Sequence, residues 1–173
     1  MAKTTKSAAP KAATGSNERG IDIGLAEASR KTAAAILSAA LADTFTVYLK
    51  THNAHWNVTG PDFQQLHILF EGQYEELHGS IDEIAERIRA LGVKVPASLA
   101  GFAQASSIAE TATELTADEM VRDLLAANEQ LVRNLRKAEA DLGELDDIAS
   151  ADLMVARVAA SEKHAWMLRS LLG

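Results

Sequence analysis

Val121, Leu124, Asn128, Leu131, Leu135, Ala138 and Leu142 recur at alternating steps of three and four. Such spacing marks one face of a long amphipathic helix, and a helix of this kind is marginal in water until its stripe is covered. The chain must therefore supply partners of comparable length. Leu37, Leu41, Thr44 and Tyr48 keep a four-three-four spacing inside a helix predicted from about Leu25 to Trp56. A second helix is predicted from the Gly60-Pro61 break to about Leu91, with Pro61 in its first turn and Gly92 as its stop. Its stripe reads Phe63, Leu66, Phe70, Leu77, Ile81, Ile84 and Ile88. The helix carrying the opening stripe begins at a capping box, Thr116 with Glu119 three residues on, and closes at Gly143. The last is expected from Ile148 to Leu172, with Leu153, Ala156, Ala160, His164, Met167 and Leu171 inward.

Short links join the first helix to the second and the third to the fourth, so each pair should form an antiparallel hairpin. The longer connection between the hairpins can cross the bundle, and "PASLAGFAQAS" within it reads as a short helix. Only three prolines interrupt the chain. The expected fold is all-α, a four-helix bundle of the ferritin-like type with one long crossover. At 173 residues it fits one domain. The patch "AAAILSAALA" starts at Ala33 and flows into more helix, so neither a signal peptide nor a membrane span is expected. Residues 1–20 lack aromatic and branched aliphatic side chains, and read as a mobile basic tail ahead of a body spanning 21–173. Lys3, Lys6, Lys11 and Arg19 against Glu18 give that tail about +3, so the net charge of −7 leaves about −10 on the body.

With no cysteine, any metal must be held by histidine and carboxylate, a set suited to iron, manganese or zinc. Ferritin-like di-iron bundles use a Glu-x-x-His pair on each of two helices. Only Glu75 and His78 form such a pair here, so the bundle interior is a poor candidate. The second helix offers another arrangement. His67 and Glu71 are four apart, as are Asp82 and Glu86, and at about 100° per residue all four share one stripe. His67 and Glu86 are nevertheless separated by about 28 Å of helix. A second copy packed antiparallel across a two-fold brings together residues whose numbers have a constant sum. Both His67 with Glu86 and Glu71 with Asp82 add to 153. Two equivalent sites follow, each with His67 and Glu71 from one copy and Asp82 and Glu86 from the other. His55, just across the Gly-Pro turn, can complete the histidine pair, while Gly72 and Gly79 allow close approach.

"HWNVTGPDFQQLH", "FE" and "DEIAERIRALG" resemble the signature of the Dps family, the DNA-binding proteins from starved cells. The ordered set His55, His67, Glu71, Asp82 and Glu86 meets every interval of that signature, with Glu71 where some members have Asp. The resemblance covers the helical body and implies a hollow dodecamer with di-iron ferroxidase sites at two-fold interfaces. It further implies oxidation of ferrous iron, preferably by hydrogen peroxide, and storage of ferric mineral. Trp56 matches a family tryptophan beside the site and is either an oxidisable neighbour or an aromatic plug. The resemblance also suggests that Asp146, Asp147 and Asp152 line pores that admit iron, although they equally suit a helix cap.

His52 reads as a surface residue, His78 as a residue near the two-fold axis, and His164 as a hydrogen-bonded core histidine. The tail suits sequence-independent binding of double-stranded DNA through phosphates, with no element for base readout. The expected setting is the cytoplasm, at the nucleoid. A rival function is a structural, nucleoid-compacting protein whose metal stripe is inactive.

Overall fold

The computed structural model describes residues 20–111 and 114–173. They form five helices: α1 (Glu27–Asn57), α2 (Phe63–Ala90), α3 (Leu99–Ala105), α4 (Ala117–Gly143) and α5 (Ile148–Ser170). Helix α1 packs on α2 and α4, α4 on α5, and α5 on α2, which closes a four-helix ring. The short α3 lies in the crossover and rests on α1.

Local chemistry sets the boundaries. Gly92, at φ 86°, ends α2: its N–H bonds to Arg89 O, and Val93 N–H bonds to Ile88 O. These are the two bonds of a Schellman stop. The capping box at Thr116 and Glu119 is present in full. Asp146 takes the left-handed position, φ 57°, in the turn beyond α4, where a short polar side chain is tolerated. Pro61 lies in the turn before α2 rather than inside its first turn.

The crossover is tied down by a buried carboxylate. Asp43 on α1 accepts from Ser107 N–H at 2.7 Å, Ser106 Oγ at 3.0 Å and Asn134 Nδ2 at 2.6 Å, joining α1, crossover and α4. Lys50 adds a second tie, donating to Ala109 O at 2.8 Å and to Asp123 on α4 at 2.9 Å.

The α4 stripe is buried at every expected position. Two other expectations need correction. Phe63 is 46% exposed and does not belong to the buried stripe of α2. On α5 the interior face is Ser150, Met154, Arg157, Ser161, His164, Ala165 and Leu168, while Ala156 faces solvent and Leu171 is 48% exposed. The cause is Arg157 and Ser161: polar residues occupy interior positions, so the hydrophobic pattern points to the neighbouring face. Helix α1 is long and apolar enough by composition to cross a membrane, but half of its most apolar stretch is buried within the bundle.

Candidate metal centre

His55 sits in the last turn of α1 and His67 in the second turn of α2. The Gly60 turn, at φ 109°, folds one back on the other. Their rings stack at 3.7 Å between centroids, 19° from parallel. The histidines are locked reciprocally: His55 Nδ1 lies 2.9 Å from His67 O, and His67 Nδ1 lies 2.9 Å from His55 O. A carbonyl can only accept, so each Nδ1 donates its N–H, and the neutral form of either ring has its lone pair on Nε2. Ring N–H bonds to backbone carbonyls are also what fixes the orientation of imidazoles that bind metals.

Glu71 follows one turn after His67 and is half-buried, whereas Asp82 and Glu86 are exposed further along α2. Among the described residues no three His, Asp or Glu side chains of the single chain converge on one point. The structure therefore brings the two histidines together and leaves the two distal carboxylates apart. The expected pair Glu75 and His78 is exposed on the outside of α2, away from the bundle interior.

An aromatic cluster flanks the histidines. His52 stacks on Tyr74 at 4.0 Å and 16°, lies 4.1 Å from the Trp56 ring, and places Nδ1 3.1 Å from Tyr48 Oη. The pattern of the sequence carries no sign of this, because residues from two helices build the stack; His52 is half-buried in it rather than a plain surface residue. Loss of hydration there lowers the His52 pKa, and neighbouring His55 and His78 lower it further. Tyr74 is raised by the same loss of hydration and by the Glu71 carboxylate. Trp56 itself is 62% exposed, so it does not plug its helix end.

Residues 34–173 match the family model of the ferritin-like domain. The chain is 40% identical over 139 residues to the DNA protection during starvation protein of Brevibacillus brevis, covering 80% of this chain and 93% of that one. The structure of a Dps protein from Bacillus brevis superposes with a TM-score of 0.81 at 38% identity, over 84% of this chain and 98% of the other. The chain belongs to the Dps family, within the ferritin-like fold. A Vibrio cholerae Dps, described as a member of the ferritin-like diiron-carboxylate proteins, matches at TM-score 0.84 and 30% identity, over 91% of this chain and all of that one. Another relative, an uncharacterised low temperature-induced protein of Nostoc, is 40% identical over 88% of this chain and 86% of its own.

In this Dps-family chain the three candidate pore aspartates part company. Asp147 is 2% exposed: it caps α5 through Ser150 N–H and pairs with Arg87 at 2.6 Å. Its carboxylate is committed to structure. Asp146 and Asp152 are exposed. The tail residues Lys3, Lys6, Lys11 and Arg19 lie outside the described residues. His164 is buried as expected, but it is not hydrogen-bonded: Nε2 approaches Glu76 only to 3.8 Å and Nδ1 has no partner.

Proposed function

We propose that two copies pair α2 against α2 about a two-fold axis and complete two iron-oxidation sites between them. Each site takes His55, His67 and Glu71 from one copy and Asp82 and Glu86 from the other. The observation that carries this reading is the locked histidine pair, with Glu71 one turn beyond it on α2, which among the described residues no further ligand of the same chain completes. The α2 surface supports it. Gly72 and Gly79 are exposed, and a Cβ added to either meets nothing within 4 Å. Each costs the helix about 0.5–1 kcal/mol relative to alanine with no return inside the chain. In the register where numbers add to 153, Gly79 faces Tyr74 and Gly72 faces Ile81, so the small residues receive large ones.

Ferrous iron is the substrate. Two neutral imidazoles and three carboxylates bind it and tolerate the ferric product, and each peroxide takes one electron from each of two ferrous ions. Consuming both reagents together withholds them from hydroxyl-radical formation. Twelve copies as a hollow shell would store the ferric mineral, with Asp146 and Asp152 at openings that admit iron. The basic tail would hold double-stranded DNA, and the nucleoid, by phosphate contacts that weaken with salt.

Peroxide-driven oxidation of ferrous iron, followed optically, tests the site. The double variant His55→Ala, His67→Ala should be slower by at least about 100-fold, because losing even a group that only supports a metal ligand costs about 10- to 100-fold. Equal rates would leave a structural, DNA-compacting protein as the better description.

A further inference from the structure

The hydrophobic core is not continuous. One cluster contains Val47, Leu77, Leu131 and Met154; the other contains Ala54, Phe70, Leu124 and Leu168. On all four long helices the break falls at buried polar residues: Thr51 on α1, Gln73 on α2, Asn128 on α4, and Arg157, Ser161 and His164 on α5. Thr51 and Asn128 spend their donors on their own helix carbonyls. Both ends of Gln73, the Asn128 Oδ1, the Ser161 Oγ and the His164 Nδ1 are buried without a partner. A polar layer thus crosses the middle of the bundle.

Its layout is informative. A ferritin-like dimetal centre takes one glutamate from each of two helices and a Glu-x-x-His pair from each of the other two. Here single residues come from α1 (Thr51) and α4 (Asn128), and pairs three apart come from α2 (Gln73, Glu76) and α5 (Ser161, His164). The arrangement is kept while its charges are gone: one carboxylate, Glu76, and one imidazole, His164, remain among the six. The Arg157 guanidinium grips Glu76 with both nitrogens, Nη2 at 2.8 Å from Oε2 and Nη1 on Oε1. Glu76 is thereby neutralised, and a divalent ion would meet a buried cation with no anion to spare. These residues do not fit a di-iron centre.

We infer that this layer is a degenerate dimetal centre closed to iron, in which Arg157 stands on Glu76 where a cation would otherwise bind. Arg157 is then a specificity-determining residue: it keeps metal out of the bundle and confines it to other surfaces of the chain. The inference holds whether or not the inter-subunit sites are as proposed.

Cobaltous ion is the probe, with the His55→Ala, His67→Ala protein as parent so that the proposed interface sites do not compete. Adding Arg157→Ala should create one further cobalt per chain, bound at least tenfold more tightly than any site of the parent and visible as a d–d absorption band. Arg157→Lys, which keeps a cation, should show no gain, and Glu76→Gln added to Arg157→Ala should abolish it. Arg157→His, which brings its own ligand, is read in place of Arg157→Ala if the alanine variant loses its helical circular dichroism. A folded Arg157→Ala variant, or a folded Arg157→His variant read in its place, without added cobalt overturns the inference. So does anomalous scattering from cobalt beside Glu76 or His164 in wild-type crystals, a result that needs no variant and leaves the interface reading untouched.

Discussion

At the scale of single residues, chemistry is set by where each polar group finds its partner. His55 and His67 spend Nδ1 on each other's backbone, which turns two separate histidines into an oriented pair. His164 has the opposite fate. Burial lowers its pKa; the Glu76 carboxylate pulls the other way and is outweighed, with Arg157 and Lys163 also lowering it. The unfolded chain therefore takes up the proton first, as pH falls through about 6.5. Its stabilising contribution is full above that value and is lost as pH falls toward the lower folded value. His52, also lowered, acts in the same direction. For Glu76, burial raises the pKa but the Arg157 hydrogen bonds and charge prevail and hold it below the carboxylate range. That contribution is present above about 4.3 and lost as pH falls through the folded value. Thermal unfolding between pH 7.5 and 5 should show a falling midpoint, and His164→Gln should shrink the fall. A variant that keeps the whole decline would place its origin elsewhere.

Among the elements, legibility in the sequence follows from what each helix buries. The α4 stripe could be read completely because six of its seven inward positions are apolar. The α5 interior could not, because Arg157 and Ser161 look like surface residues and make sense only opposite Glu76 on α2. The Tyr74–His52 stack was equally hidden, since it joins residues of two helices that no single-helix periodicity connects. The α2 residues proposed as ligands stand out in the sequence for a different reason: they repeat at helical steps along one face. That face also makes a prediction. Gly79→Leu should raise the helix propensity of an isolated chain by about 0.8 kcal/mol yet disrupt pairing through α2. Light scattering should then report smaller particles with unchanged helicity. A full-sized assembly would remove α2 from the interface.

For the whole molecule, charge and assembly divide the work. An acidic body of about −10 repels DNA, so binding should reside in residues 1–20 and fade with salt. Deleting that segment should abolish retardation of a DNA duplex on a gel at low salt; unchanged retardation would move the DNA-binding surface to the body. Assembly matters more, because one chain holds only half of the proposed site. The most direct measurement uses two variants that are each inactive. One is His55→Ala, His67→Ala; the other is Asp82→Ala, Glu86→Ala. If the ligands come from different copies, unfolding both together and refolding the mixture creates pairs in which one of the two sites has every ligand. Random pairing should restore about a quarter of the wild-type rate of peroxide-driven iron oxidation. Ligands acting within one chain would leave the mixture as inactive as its components.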